Sequence, residues 1–485
     1  MKNLSIAIPA MSTSTTCMGV HILVYPYVSS GHIIPLLDLT HCLLDRGLVI
    51  TVVVTASNLP LLDPLRSSHP SSQLQSLVLP DPGNAPPSKS RLLANMRSLR
   101  EVHYPLLLNW FQLHSSPPVA IISDFFLGWT SEFASQVGVP RIVFSPSGAL
   151  AFSVATFVWR DQPQNDHPEN LNLSVSFPKI PNSPTFPWWQ ISHIYRMPKD
   201  SDWEFYRNCY LANLASWGII FNSFAELERV YLDHMKREFQ NDRVWAVGPV
   251  LPPDDDLTGT ANRGGSSSVP CHDVLTWLDS CKDHSVVYVC FGSRTALTCK
   301  QMDELAAALE KSGVHFIWCV RQPVEQRRTS SDYGDLPDGF EDRVADRGFI
   351  IKGWAPQVAI LRHRAVGAFL THCGWNSVLE GIATGAVMLT WPMSADQFTN
   401  AQLLVDQLRV GIRFGEGTAN IPESTELARI LAESVAETRP ERLIAKKLQE
   451  EALSAVRGGS SDTDLDGLVR RLNQLKLETD GDAIK

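Results

Sequence analysis

The chain contains 485 residues, of which 44 % are hydrophobic and 19 % are charged, and its formal net charge is −9. This length is too great for one ordinary hydrophobic core, so two domains are expected, and the composition argues against wholesale disorder. The net negative charge disfavours non-specific binding to nucleic acid or to an anionic membrane surface.

The apolar segments and the cysteines predict a cytoplasmic protein without stable membrane insertion. Residues 1–18 hold one lysine and a short apolar segment broken by Pro9, so they predict a disordered tail rather than a signal peptide. Residues 142–159 carry no charge, but the Ser-Pro-Ser-Gly segment at 145–148 interrupts them. The remaining helical part has only about half of the roughly 20 residues that a membrane-spanning helix requires. Nine scattered cysteines form no C-x-x-C pair, which favours a reducing compartment.

Short β-rich segments alternate with helical patterns through the first half of the chain. Helices are predicted from patterns such as IPLLDLTHCLLDRG and GWTSEFASQVG, and the last glycine of the second suits a helix C-cap. This alternation predicts a parallel sheet built from βαβ units. The predicted strands cover residues 21–28, 49–56, 119–125, 141–145, 218–222 and 244–250.

A change of composition at 251–270 divides the chain. This segment is rich in Pro, Gly, Ser and Asp, so it is interpreted as a linker between a domain at 19–250 and a second domain at 271–460. A C-terminal helix at 461–485 is expected to pack back on the first domain. Two doubly wound α/β domains would face each other across a cleft, which suits an enzyme with two substrates. The second series of predicted strands covers 285–291, 316–320, 348–352, 367–371 and 387–390.

Two motifs in the second half are rejected as functional sites. GEGTAN at 415–420 lacks the third glycine of a dinucleotide fingerprint and opens no helix, which argues against a nucleotide-dependent oxidoreductase. The acidic triplet at 254–256 lies in the predicted linker without a supporting histidine, so it is interpreted as a solvated charge run and not as a metal site.

The segment 354–397 combines a strand, a tight turn and a helix start in a pattern that predicts an anion site. GAFLT is read as the strand, HCGW as the turn and NSVLEGIATG as the helix. The first-turn N–H groups of a helix lack intrahelical partners and lie at the positive end of its dipole. His372, Asn376 and Ser377 add side-chain donors there, and Glu380 lies one turn further on, where it could accept both hydroxyls of a ribose.

Other polar and aromatic residues of this segment follow neighbouring strands. Trp354 offers a face on which a base could stack, and Asp396 and Gln397 could hold sugar hydroxyls. Each feature alone is more often an ordinary helix cap, a core residue or a polar loop. Their joint occurrence at the strand-to-helix junctions of one domain favours a sugar-nucleotide site.

The segment 354–397 resembles the signature segment of the plant family 1 glycosyltransferases, which use UDP-sugars. The motifs WAPQ and HCGWNS carry the resemblance, and the stretches HILVYPYVSSGHIIPLLDLTH and DVLTWLDSCKDHSVVYVCFGS extend it over essentially the whole chain. The likeness is greatest to the subgroup that acts on flavonoids and simple phenolics. Asp396 replaces the more usual glutamate, which keeps a carboxylate but shortens its reach. The resemblance implies the two-domain GT-B fold and an inverting O-glycosyltransferase (a hexosyltransferase) with the acceptor in the first domain and the UDP-sugar in the second.

The resemblance also assigns roles by position. His32 would be the general base and Asp124, in VAIISDFF, would orient it. Residues expected at UDP are Ser293, Trp354, Ala355, Gln357, His372, Asn376, Ser377 and Glu380, and those expected at the sugar are Trp375, Asp396 and Gln397. Among many aromatic residues of the first domain, the acceptor is expected at Phe126, Phe152 and Trp188. No metal or other cofactor is expected, because helix dipole and side-chain donors would take the charge of the leaving diphosphate.

Several alternatives stay open. In this family a glutamine at the last position of the signature segment, here Gln397, usually accompanies glucose. UDP-glucose is therefore the expected donor, with UDP-rhamnose or UDP-xylose as the alternative. A non-catalytic sugar-nucleotide-binding protein is a second reading, which the presence of both His32 and Asp124 disfavours. The expected partners are a UDP-sugar and a small phenolic acceptor, with no nucleic acid, and the protein is expected to be a monomer.

Overall fold

The computed structural model describes residues 19–83, 90–167, 169–252, 263, 267–320 and 334–482. The predicted tail at 1–18 lies outside the described residues, as do most of the predicted linker at 251–270 and the acidic triplet at 254–256. None of the helices in these ranges is long and apolar enough to cross a membrane.

The first half of the described chain forms a parallel sheet of seven strands and a separate antiparallel hairpin. Its strands are β1 (His21–Tyr25), β2 (Val49–Thr55), β3 (Leu74–Leu79), β4 (Ala120–Asp124), β5 (Arg141–Ser145), β6 (Ser174–Ser176), β7 (Thr185–Pro187), β8 (Gly218–Phe221) and β9 (Val244–Ala246). The spatial order of the sheet is β3-β2-β1-β4-β5-β8-β9, and β6 pairs with β7. All seven residues of β2, VITVVVT, are buried, as expected for a strand covered on both faces.

Helices cover both faces of this sheet. Along β1, Leu23 belongs to one apolar core and Ile22 to the other, because successive side chains point to opposite faces. Helix α4 ends at Gly138 with a φ of +74°, which confirms the predicted glycine C-cap. The helices are α1 (Ser30–Asp45), α2 (Asp63–Ser68), α3 (Arg91–Leu113), α4 (Thr130–Val137), α5 (Ala149–Asp161), α6 (Ser201–Leu214) and α7 (Ala225–Phe239), with 3₁₀ segments at Ala56–Leu62, Phe125–Leu127 and Trp188–Gln190.

The second half contains a six-stranded parallel sheet that is also covered on both faces. Its order is β12-β11-β10-β13-β14-β15, where the strands are β10 (Val286–Cys290), β11 (His315–Val320), β12 (Gly348–Lys352), β13 (Val366–Thr371), β14 (Val387–Thr390) and β15 (Gly411–Arg413). Its helices are α8 (Cys271–Asp279), α9 (Cys299–Ser312), α10 (Phe340–Arg343), α11 (Gln357–Arg362), α12 (Trp375–Thr384), α13 (Gln397–Gln402), α14 (Ser424–Ser434) and α15 (Pro440–Val456), with a π-helical segment at Leu403–Gln407. Two doubly wound α/β units confirm the predicted fold class.

The last helix, α16 (Ser460–Asp482), packs on the sheet of the first half. Leu465, Leu468 and Leu472 join the apolar core formed by one face of that sheet. Asp464 accepts a hydrogen bond from the backbone N–H of Ala246 at 2.8 Å. The chain therefore returns from the second unit to the first.

The observed strands differ from the predicted ones mainly at their ends. β1 was predicted to reach residue 28 but ends at Tyr25, because Pro26 cannot donate to the ladder. β9 ends at Ala246 rather than at 250, shortly before Pro249. The strands β3, β6, β7 and β15 were not predicted, since they are short or carry polar residues.

Candidate active site

A cleft of about 230 Å³ lies between the carboxyl ends of the two parallel sheets. The loops after β1, β10, β12, β13 and β14 supply its walls, as expected for ligand sites of open α/β sheets. The predicted residues that line it are His32, Ser293, Trp354, Ala355, Gln357, His372, Trp375, Asn376, Ser377, Glu380 and Asp396.

His32 and Asp124 form a hydrogen-bonded pair at the wall made by the first unit. His32 lies in the first turn of α1, and Asp124 is the last residue of β4. The Nδ1 of His32 donates to Oδ2 of Asp124 at 2.8 Å, and the carboxylate is fully buried while 15 % of the histidine side chain is exposed. The other oxygen, Oδ1, accepts from the backbone N–H of Phe126 at 2.8 Å. Because a carboxylate partner requires the proton on Nδ1, the Nε2 of His32 is left as a proton acceptor.

Aromatic rings fix the orientation of the His32 imidazole. Phe126 stacks on it with centroids 4.6 Å apart and an interplanar angle of 26°, and Tyr27 meets it edge-on at 5.4 Å. The half-buried Phe126 therefore lies beside the base, where an acceptor ring could also pack.

None of the three predicted acceptor residues is among those that line this cleft. Phe152 is only 1 % exposed and packs against Tyr210 at 5.6 Å, so its ring belongs to the apolar core, and its role at an acceptor stays a prediction. Trp188 is half-buried and meets Tyr195 edge-on at 6.1 Å, away from the cleft-lining residues.

A buried arginine that the sequence analysis did not select lies behind Asp124. Arg141, the first residue of β5, is 3 % exposed and donates to neutral acceptors, including Ser123 Oγ at 2.8 Å, Ser216 Oγ at 2.7 Å and Asn213 Oδ1 at 3.0 Å. Its Nη2 lies 3.4 Å from the carbonyl oxygen of Asp124. Burial lowers the pKa of Arg141 to about 10, so its guanidinium remains charged at neutral pH. The sequence feature that could have identified Arg141 is its positive charge at the start of a mainly apolar strand, RIVFS.

The wall made by the second unit contains an open helix N-terminus. Helix α12 begins at Trp375 after the turn that follows β13, and no described side chain caps its first turn. The Nε2 of His372 lies close to the backbone of two glycines. A Cβ added to Gly292 would lie 2.5 Å from this nitrogen, and one added to Gly374 would lie 2.6 Å from it. Burial lowers the pKa of His372 to about 4, so the ring is neutral, and its buried Nδ1 has no hydrogen-bond partner among the described residues. These groups can bind an anion with neutral donors and the helix dipole.

The side chains predicted at a ribose form one hydrogen-bonded cluster. Gln357 donates through Nε2 to Ser377 Oγ at 3.0 Å and to Glu380 Oε2 at 2.6 Å, and it accepts from the Tyr288 hydroxyl at 3.2 Å. Asn376 points instead across the cleft, where its Nδ2 donates to the carbonyl of Gly31 at 3.1 Å. Asn376 thus connects the two walls rather than joining this cluster.

Arg263 from the predicted linker reaches the same cluster. Its Nη1 donates to Glu380 Oε1, and its Nη2 donates to Asp38 Oδ2 on α1 at 2.5 Å. The side chain is 11 % exposed and lines the cleft. The sequence analysis missed this residue because nothing in a Gly- and Ser-rich segment indicates which distant carboxylates its arginine will meet.

The three residues predicted at the sugar make specific contacts with their surroundings. Trp375 is 3 % exposed and donates its indole N–H to the carbonyl of Asn222 at 2.6 Å, so this group is not available to a sugar. Asp396 accepts from Ser147 Oγ across the cleft at 2.8 Å, and burial raises the pKa of its carboxyl. Gln397 does not line the cleft; its Oε1 accepts two backbone N–H groups of its own loop at 2.9 Å.

Comparisons with known proteins identify the family. Residues 246–419 match the family model described as "UDP-glucoronosyl and UDP-glucosyl transferase". The UDP-glycosyltransferase 89B2 of Stevia rebaudiana is 51 % identical over 477 residues, which cover 96 % of this chain and all of that protein. The chain belongs to the plant UDP-glycosyltransferases. The flavonol 3-O-glucosyltransferase UGT89B1 of Arabidopsis thaliana is 49 % identical to this UDP-glycosyltransferase over 475 residues, covering 94 % of this chain and 97 % of the relative.

Solved structures of the family agree with the fold of this UDP-glycosyltransferase. Arabidopsis thaliana UGT89C1 in complex with UDP-L-rhamnose superimposes with a TM-score of 0.77 at 39 % identity, covering 94 % of this chain and all of that one. UGT89C1 has also been solved with quercetin. The predicted GT-B fold is confirmed.

Proposed function

We propose that this UDP-glycosyltransferase transfers glucose from UDP-glucose to a hydroxyl of a flavonoid or simple phenolic and inverts the anomeric configuration. The observation that carries the proposal is the pair His32–Asp124, which faces the anion-binding start of α12 across the cleft. The name of the Arabidopsis relative UGT89B1, a flavonol 3-O-glucosyltransferase, supports both the sugar and the acceptor class.

In the proposed reaction, Nε2 of His32 takes the proton from the acceptor hydroxyl. The acceptor oxygen forms its new bond to the anomeric carbon from the face opposite UDP, and the bond from that carbon to the diphosphate oxygen breaks with its electron pair. Asp124 stabilises the resulting imidazolium and holds Nδ1 protonated throughout. The configuration therefore inverts in a single displacement.

We propose that this chain binds UDP without a metal ion. The diphosphate would be held by the first-turn N–H groups of α12 together with His372, Ser377 and Ser293. Trp354, half-buried at the cleft, would stack on uracil, and the backbone of Ala355 would pair with the edge of the base. Asn376 and Trp375 would contribute mainly by holding the two walls together.

Glu380 would accept the ribose hydroxyls with Gln357 beside it. One Glu380 oxygen accepts from Arg263 and the other from Gln357. Binding of the ribose would therefore require Glu380 to exchange its contact with Arg263 for hydroxyl donors. Asp38 would keep Arg263 paired during this exchange.

The proposal of glucose as the donor rests on the family resemblance at Asp396 and Gln397. Asp396 lines the cleft and can accept from a sugar hydroxyl. Gln397 is not among the lining residues and its Oε1 is held by its own loop, so its N–H groups would reach a sugar only if that loop moved. A second candidate donor is UDP-rhamnose, which the UDP-L-rhamnose complex of UGT89C1 favours. UDP-xylose is a third.

We predict that the glucoside dominates when UDP-glucose, UDP-rhamnose and UDP-xylose compete at equal concentration for quercetin. Mass spectrometry resolves the three products, and single-donor time courses provide the control. A dominant rhamnoside or pentoside would contradict the donor assignment and leave the enzyme class unchanged.

Arg141 is expected to influence the base through Asp124, because its buried positive charge lies 3.4 Å from the carbonyl oxygen of that residue. We expect Arg141→Met to move the acid limb of the kcat/KM pH profile upward by roughly one unit, since a unit charge at close range and an effective dielectric of about 20 changes proton affinity by 1–2 kcal/mol. Arg141→Lys keeps the charge, so the acid limb of its pH profile should lie at the wild-type position. Ser216→Ala, which removes one partner of Arg141 but no charge, is the matched control. An unchanged limb in a folded Arg141→Met protein would contradict this role.

We further propose that the enzyme acts as a cytoplasmic monomer. Light scattering with size-exclusion chromatography tests the mass, and fractionation of cells that express the chain tests the location.

A further inference from the structure

Two histidines and an aspartate from two elements meet on the outer side of the first unit. His41 and Asp45 are four residues apart on α1 and share one face of the helix, and His69 follows α2. The Nδ1 of His41 lies 2.8 Å from Nε2 of His69, which lies 3.8 Å from Oδ1 of Asp45. The second nitrogen of His41, Nε2, is 3.7 Å from Oδ2 of Asp45. One ligand atom from each residue lies within 4.8 Å of the other two.

We propose that His41, Asp45 and His69 form a binding site for a divalent transition-metal ion of the zinc class. Imidazole nitrogen and carboxylate oxygen are the donors that zinc accepts, and three protein ligands leave a fourth position for water. Tetrahedral bonds of about 2.0–2.1 Å place neighbouring ligand atoms about 3.3 Å apart. The two distances that involve Nε2 of His69, 2.8 Å to His41 and 3.8 Å to Asp45, bracket this value. All three ligand atoms lie within 4.8 Å of one another, so rotation of the exposed Asp45 side chain would have to bring its carboxylate closer to the two histidines.

The contacts of the carboxylate favour a three-ligand site over a simple pair of histidines. The rings of His41 and His69 meet edge-on at 4.8 Å and 66°, and Nδ1 of His41 shares a hydrogen bond with Nε2 of His69 at 2.8 Å. Asp45 comes close to both rings, yet at 3.7 and 3.8 Å it lies beyond hydrogen-bond distance from either. An ion among the three would bring all of them into direct contact.

The surroundings leave the ligand atoms accessible and the carboxylate available. Asp45 is 54 % exposed, so water and a metal ion can enter from that side, whereas His69 is 7 % exposed and held in place. The neighbouring Arg46 does not compete for Asp45, since it donates to Asp466 at 2.7 Å and to Asp462 on α16.

The site lies far from the proposed chemistry. His41 follows His32 by nine residues on the same helix, which corresponds to about 14 Å at 1.5 Å per residue. A bound ion would join α1, the helix that carries His32, to the segment between β2 and β3. We therefore expect it to stabilise the fold without taking part in catalysis, and the metal-free chemistry proposed for the cleft is unaffected.

The test uses the full chain after removal of metals with EDTA and then of the chelator. Equilibrium dialysis against zinc chloride, read by atomic emission, should give one bound equivalent, and the midpoint of thermal unfolding should rise by roughly 3 °C or more at about 100 times Kd. The cobalt(II) form should show the visible absorption of a four-coordinate site. Asp45→Asn and His69→Gln should each lose the bound equivalent, the rise in midpoint and the cobalt absorption.

Two control variants separate this site from other histidine–carboxylate pairs. His363→Gln disrupts the pair of His363 and Asp279, which are 3.2 Å apart, and His32→Ala removes the histidine of the cleft. Both should still bind one equivalent with the full rise in midpoint. The absence of binding to the unaltered chain, or full binding by Asp45→Asn and His69→Gln, would overturn the proposal. So would loss of the equivalent in His32→Ala alone.

Discussion

Replacement of His32 by alanine should slow glycosyl transfer by roughly 10²–10⁴-fold while the affinity for UDP stays at the unaltered value. The reason is that Nε2 of His32 is the proton acceptor left by the contact of Nδ1 with Asp124, whereas UDP is proposed to bind at α12 on the opposite wall. Initial rates with UDP-glucose and quercetin give the first quantity, and calorimetry with UDP gives the second. Full activity in His32→Ala would contradict the assignment of the base.

Asp124→Asn tests the partner of the base in a side chain of nearly the same shape. An amide can donate to Nδ1 of His32, which would place the imidazole proton on Nε2 and block proton uptake there. We expect an impaired turnover with unchanged UDP affinity. Asp63→Asn, in an exposed ion pair on α2, is the control. Wild-type turnover in Asp124→Asn would contradict the pairing even if His32 proved essential.

The second large effect is expected at Glu380. Loss of hydrogen bonds to this carboxylate should cost about 1.5–3 kcal/mol, so Glu380→Ala is expected to weaken UDP binding roughly 10- to 100-fold. Trp354→Ala should also weaken binding, because it removes the face proposed to stack on uracil. Calorimetry with UDP alone measures both effects.

Controls for Glu380 must account for Arg263, which loses one of its two carboxylate partners in the alanine variant. The midpoint of thermal unfolding without UDP is therefore measured for each variant beside its UDP titration. Thr384→Ala, one turn further along α12, tests whether changes in this helix alone reduce affinity. Unchanged UDP affinity in both Glu380→Ala and Trp354→Ala would show that the nucleotide site is misassigned.

Local patterns were sufficient to predict the parts of the fold and site that depend on short segments. Apolar runs such as those of β2 and β13 predict buried parallel strands, and parallel strands bring their carboxyl ends to one edge. Asp124 ends β4, and His32 and the residues around His372 follow the ends of β1 and β13, so their convergence could be expected from the sequence.

Contacts between distant segments could not be predicted in this way. Arg141 behind Asp124 and Arg263 on Glu380 depend on which polar groups the fold brings together, and neither segment contains that information. Phe126 and Phe152 are the same residue type on neighbouring elements, yet one stacks on His32 and the other lies in the core. His41 and His69 are likewise 28 residues apart in the chain, so no short sequence motif indicates that they meet.

The most direct test of the proposed function is the proton NMR spectrum of the product formed from UDP-glucose and quercetin. UDP-glucose carries an α-linked sugar, so a single displacement assisted by His32 predicts one β-linked O-glucoside with a large anomeric coupling constant. An α-linked product, or binding of UDP-glucose without formation of any glycoside, would contradict the proposal.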